Sequence, residues 1–170
     1  NLPELETARK RGIAVTSEME VFFDLCPATI FVVTGSDGKT TTTTLIYKIL
    51  TESGYVCHLG GNIGNPLLCD ADKIKKDDIT VLELSSFQLH TMKKSADVSV
   101  VTNISPNHLD VHKSYEEYIE AKKNIFINQD ENGVLVLNRH NEESFKCAAD
   151  AKGEVRFFGY EKECCVYSDG

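Results

Sequence analysis

Short apolar runs alternate with longer amphipathic stretches along most of this chain. Ile30–Val33, Tyr55–Leu59, Ile79–Leu84, Val98–Val101, Val134–Leu137 and Val155–Phe158 are rich in β-branched or aromatic residues and bounded by polar turns. Several are apolar at consecutive positions, the pattern of parallel strands buried on both faces. Helical periodicity lies between them: Leu45, Ile46, Ile49 and Leu50 form one stripe, and Tyr115, Tyr118, Ile119, Ile125 and Phe126 another. Ser114, with Glu117 three residues later, reads as a capping box that starts the second helix, and Asn141 as the cap of a third running to Ala149. Strands alternating with helices predict an α/β fold, a doubly wound and mostly parallel sheet.

The ends fit this pattern less well. Residues 1–27 hold a helical piece, a short "IAV" and "SEMEVFFDL", too little for a core of their own, and "ECCVYSDG" stops where a further strand or hairpin should begin. The expected organisation is the tail of a preceding domain and its linker over 1–27, then a central domain over 28–170 that is incomplete at its C-terminal side.

Composition narrows the partners. A formal net charge of −8 argues against nucleic acid, whose phosphates ask for a basic surface. No window approaches the ~18 apolar residues of a membrane span. The six cysteines form no C-x-x-C pair, so reduced thiols packed as small apolar groups in a cytoplasmic protein are expected.

The chemistry starts at "VVTGSDGKTTTTTL", Val32 to Leu45. It follows a predicted strand and opens a predicted helix (Thr40 to about Ser53), the setting in which backbone N–H groups cradle phosphate. Gly35 and Gly38 would let the loop of Gly35, Ser36, Asp37, Gly38, Lys39, Thr40 and Thr41 close around an anion. Lys39 would neutralise the β and γ phosphates, and Thr40 would meet Mg²⁺. Val33 stands where the usual eight-residue phosphate loop has its first glycine. An ordinary strand-to-helix turn capped by Thr40 or Ser36 is the competing reading.

Ligands of parallel sheets sit outside the carboxyl ends of the strands. The segments following the other strands are "GGNIGNP" (Gly60–Pro66), "ELSSFQLH" with Glu83, Ser85 and Ser86, and "TNISPNHLDVH" with Asn103, His108, Asp110 and His112. Each is weak alone, but together they put polar, metal-capable groups on one edge beside the phosphate loop. On the next helix the apolar stripe includes Lys122, whereas Lys123 falls off it toward Glu116 and Glu120. A lysine in such a stripe either snorkels to water or is desolvated, with a lowered pKa and a nucleophilic neutral amine. Such an amine can take up CO₂ as a carbamate.

With these residues in place, the chain resembles the Mur ligase family, ATP-dependent enzymes that form amide bonds in cell-wall precursors. "TGSDGKTTT" is similar to the family's G-T-x-G-K-[TS]-T loop, which lacks the first glycine. "GGNIGNP", "ELSSFQL", "NHLDVH" and "EAKKNIF" resemble its D-glutamate-adding branch, and "GIAVTSEMEVF" the end of the first domain and linker. The resemblance implies a P-loop-containing, truncated central domain with ATP and Mg²⁺ as cofactors. Lys39 and the loop would bind ATP; Thr40 and Glu83 would hold one Mg²⁺, and His108 with carbamylated Lys122 a second. Asn62, Ser85, Ser86 and Gln88 would face the muramoyl substrate.

The implied reaction adds D-glutamate to UDP-N-acetylmuramoyl-L-alanine through an acyl phosphate, in a cytoplasmic, monomeric parent. Asp37 departs from the Asn usual in the loop. The family also uses three domains, so this polypeptide by itself is expected to bind nucleotide and Mg²⁺ at most and not to ligate. A folylpolyglutamate-type ligase is disfavoured by "ELSSFQL", and a non-catalytic P-loop switch by the absence of a guanine-reading N-K-x-D element.

Overall fold

The structure, a computed structural model, describes residues 2–106 and 114–167. Seven strands, β1 (Thr29–Thr34), β2 (Cys57–Gly61), β3 (Ile79–Glu83), β4 (Val98–Val101), β5 (Val134–Asn138), β6 (Glu154–Gly159) and β7 (Val166–Tyr167), form one sheet in the order β2-β3-β1-β4-β5-β6-β7. Every pairing is parallel. The six predicted strands are present with ends shifted by one or two residues, and the segment expected to begin another element supplies β7.

Burial explains the consecutive apolar runs. Val32, Val33, Val81, Leu82 and Val101 are wholly buried, because helices cover both faces of the central strands. Each such side chain contributes roughly 1.5–3 kcal/mol through its removal from water. Between the strands lie α3 (Lys39–Glu52), a 3-10 turn at Leu67–Lys73, α4 (Ser86–Leu89), α5 (Tyr115–Lys123) and α6 (Glu142–Lys146). The caps read from sequence form in part as expected. The Ser114 side chain accepts from Glu117 N, while the Glu117 carboxylate lies 3.2 Å from His90 Nε2. Asn141 accepts from Ser144 N and starts α6, which passes into a 3-10 turn at Cys147–Asp150.

The stripe read on α3 needs correction. Leu45 and Ile49 are 53% and 63% exposed, and the position turned fully inward is Thr43. The helix leaves the phosphate loop at a fixed angle, so the loop sets its rotational phase. Thr43 is small enough for close approach to the sheet and returns its hydroxyl to Lys39 O at 2.8 Å. The α5 stripe holds: Tyr118, Lys122, Ile125 and Phe126 are all buried.

Of the N-terminal segment, α1 (Pro3–Lys10) buries no residue. By contrast, α2 (Glu18–Leu25) starts at a full capping box, Ser17 with Glu20, and sends Met19 and Phe22 into the central core. No helix among the described residues is long and apolar enough to cross a membrane, and all six cysteines are free.

Candidate functional site

Because β1 lies between β3 and β4, the loop leaving β1 emerges with the ends of both neighbours beside it. Register sets the depth: Val33 sits opposite Glu83 of β3, which in turn is opposite Gly61 of β2, and Thr34 is opposite Val101 of β4. This is where the strand order reverses and the sheet opens a crevice. Four loops far apart in sequence therefore converge there.

Gly35 and Gly38 serve the loop for different reasons. A Cβ on Gly35 (φ 152°) would sit 1.9 Å from Thr102 Oγ1, so the position is closed by contact as well as by backbone. Nothing crowds Gly38, but its φ of 76° is left-handed, the conformation glycine adopts without strain. As N-cap of α3, Gly38 has no side chain to satisfy the first-turn N–H groups, the arrangement with which helix starts can receive an anion. The Lys39 ammonium donates to Ser36 O at 2.9 Å. Thr40 and Thr41 follow on the exposed first turn. Asp37 is exposed. The turn is thus a glycine-capped helix start, not one capped by the Thr40 or Ser36 side chain.

Glu83 is 1% exposed, and both its oxygens are held. Thr40 Oγ1 donates to Oε2 at 2.7 Å and Asn62 Nδ2 to Oε1 at 2.9 Å. A buried carboxylate against a hydroxyl, at the mouth of a phosphate loop, is a hard-oxygen pair of the kind Mg²⁺ takes together with phosphates. Of the substrate-facing residues expected from sequence, Asn62 directs its amide at Glu83. Ser85 and Gln88 form the capping box of α4, with Ser85 Oγ 3.0 Å from Gln88 Oε1.

Lys122 is 2% exposed, so snorkelling is ruled out for it. Its Nζ donates to Gly35 O at 2.8 Å and lies 4.5 Å from the centroid of the Tyr118 ring. Burial pushes its pKa down from 10.5 to about 7, and the nearby Lys39 charge adds to the fall against a smaller opposing effect of Asp37. Gly35, Lys39, Ser85, Ser86, Phe87, Tyr118 and Lys122 enclose a cavity of about 30 Å³. Lys123, one residue on, bridges Glu120 and Asp150 on the outside. The helical stripe separated these two lysines correctly.

His108, with Asp110 and His112, lies outside the described residues. Among the described residues no group of three or more His, Cys, Asp or Glu comes together as a metal cluster. Sequence reasoning missed two contributors: Tyr118, counted only as an apolar stripe residue, places its hydroxyl 2.9 Å from Ser36 Oγ, and Thr102 donates to Asp37 O at 2.7 Å. A hydroxyl at a buried position leaves no periodic signal.

Comparison with known proteins agrees with this geometry. A family model described as the Mur ligase middle domain matches residues 33–168. The chain is 64% identical over 158 residues to a UDP-N-acetylmuramoylalanine--D-glutamate ligase of Acetivibrio thermocellus, covering 93% of this chain and 34% of that protein. It is 62% identical over 173 residues to the ligase of the same name from Ruminiclostridium cellulolyticum, covering 100% of this chain and 37% of that one. The chain thus spans about a third of the length of the curated relatives it matches. Among solved structures, a MurF ligase from Thermotoga maritima in complex with ADP superposes with a TM-score of 0.67 at 25% identity, covering 88% of this chain and 38% of that one. MurF from Acinetobacter baumannii shares the fold, with a TM-score of 0.62 at 18% identity over 81% of this chain and 32% of that one. With the middle-domain model covering most of the chain and every described loop of the crevice in place, the chain belongs to the Mur ligase family.

Proposed function

We propose that the chain is the nucleotide-binding part of an ATP-dependent ligase that adds D-glutamate to UDP-N-acetylmuramoyl-L-alanine. Residues 28–170 are taken as the ATP-binding domain and 1–27 as the end of a preceding domain and its linker; the surface position of α1 supports this, although α2 is already folded onto the core. The observation that carries the reading is the side-by-side placement of a glycine-capped phosphate loop and the buried, neutral-leaning amine of Lys122.

In the proposed reaction the substrate carboxylate attacks the γ-phosphorus of ATP and ADP leaves. The D-glutamate amine then adds to the acyl phosphate carbonyl and phosphate departs through a tetrahedral intermediate. The work of this chain is to position and to neutralise. First-turn N–H groups of α3 and the Lys39 ammonium take the β and γ phosphates, with Lys39 exchanging Ser36 O for a phosphate oxygen. Thr40 and Glu83 would hold Mg²⁺, which supplies further charge neutralisation at the transferred phosphoryl group. Asn62 keeps the Glu83 carboxylate turned toward Thr40. Lys122, as its carbamate, and His108 would serve a second Mg²⁺, and the cavity beside Lys122 gives the added carboxyl group a start of space. Ser85 and Ser86, which line that cavity, are the residues of the α4 end best placed to meet substrate, with Gln88 supporting Ser85.

Calorimetric titration of the chain with Mg-ATP, and of Lys39→Ala in parallel, tests the reading. Saturable one-site binding lost in the variant is the expected result. Equal binding by both proteins, or none by the unsubstituted chain, overturns it.

A further inference from the structure

The residues that follow β4 hydrogen-bond the main chain of the loop after β1. The Asn103 side chain holds both main-chain groups of Asp37: Oδ1 accepts from Asp37 N at 3.0 Å and Nδ2 donates to Asp37 O at 3.1 Å. Its main-chain carbonyl accepts from Ser36 N at 2.9 Å. Thr102, the preceding residue, adds its hydroxyl to Asp37 O. Two residues further on, Ser105 N donates to Ser36 Oγ at 2.9 Å and Ser36 Oγ contacts Ser105 O at 3.0 Å. Asp37 itself is exposed and contributes only its backbone to this network.

We propose that Asn103 is a positioning residue of the phosphate site. It locks the two peptide groups flanking Asp37 so that the chain must turn at Gly38 and present the α3 N–H groups to an anion. The Asp37 N–H is directed at Asn103, so the donor set for phosphate begins at Gly38. This accounts for an acidic residue being tolerated at 37: the loop uses its peptide, and its carboxylate stays in solvent. The same residue ties loop shape to the β4–α5 connection, the segment that continues toward His108. The inference rests on the nucleotide-binding reading, since a preorganised loop matters only if it receives an anion; preorganisation then shows as affinity, because less ordering is left to be done on binding.

The test uses the ¹⁵N-labelled chain, with amide exchange at Asp37 read by NMR and affinity for Mg-ADP by calorimetry. Asn103→Ala is expected to speed Asp37 exchange and to weaken Mg-ADP by about tenfold, the scale of one to two net hydrogen bonds. Asn124→Ala serves as the structural control. It removes a comparable side-chain bond, from Asn124 Nδ2 to Leu89 O at 2.8 Å, away from the loop, and is expected to lower the urea midpoint without changing either loop readout. Asn103→Ser replaces the alanine variant if that does not fold. Unchanged Asp37 exchange and unchanged Mg-ADP affinity in the Asn103 variant overturn the proposal, as does an equal loss of affinity in Asn124→Ala. Failure of the unsubstituted chain to bind Mg-ADP overturns the nucleotide reading, and this inference falls with it.

Discussion

Replacing Gly35 by alanine tests the crevice at its tightest point. The new methyl would lie 1.9 Å from Thr102 Oγ1 and 3.1 Å from Asn103 O. The first distance is far inside contact, so the Thr102 side chain must rotate away. Rotation forfeits the single hydroxyl donation that Asp37 O at 2.7 Å and Thr34 O at 3.2 Å share. Both carbonyls keep a second partner, Asn103 Nδ2 and Thr102 N respectively, so the loss is about 1–2 kcal/mol rather than that of two orphaned groups. Holding alanine at a φ of 152° adds about 1–3 kcal/mol.

Gly35→Ala should therefore destabilise the chain by about 2–5 kcal/mol, read from urea unfolding at fixed pH. Thr102→Ala made in the same background separates the two causes. It removes the colliding oxygen, so the double-mutant cycle should show a favourable coupling of about 1–2 kcal/mol, leaving the backbone strain behind. A cost for Gly35→Ala below about 1 kcal/mol, or additivity of the two substitutions, would refute this account of why glycine stands there.

Two further outcomes are expected. The folded-state pKa of Lys122 lies below its unfolded value, so between about 7 and 10.5 the unfolded chain binds more protons and stability must rise with pH. In CO₂-free buffer the stability difference between the chain and Lys122→Met should grow by about 1.4 kcal/mol per pH unit above neutrality; a flat difference curve would remove the desolvated lysine. Phe22→Ala should cost about 3–5 kcal/mol because Phe22 is fully buried, whereas Leu5→Ala on exposed α1 should stay within about 0.5 kcal/mol. Equal urea midpoints for these two variants would show that α2 does not belong to the core.

The sequence by itself determined the strand set, the parallel character of the sheet and the phosphate loop. These are local matters: consecutive β-branched residues report burial on both faces, and glycine, lysine and threonine at close spacing report a backbone turned toward an anion. It also chose Lys122 over Lys123, because helical period alone separates an inward from an outward position. It failed where the deciding force comes from a partner distant along the chain. The α3 stripe misled because the loop, not the apolar residues of the helix, sets which face meets the sheet, and so Leu45 and Ile49 lie outside. The contact of Asn62 with Glu83 was likewise not legible, because only the β2–β3 register brings Gly61 level with that carboxylate. The role of Asp37 was open in sequence, since nothing near position 37 says that its peptide is held from residue 103. Only the strand order, which sets β4 beside β1, brings those two residues together, and hydrogen bonds across a sheet edge leave no period to read.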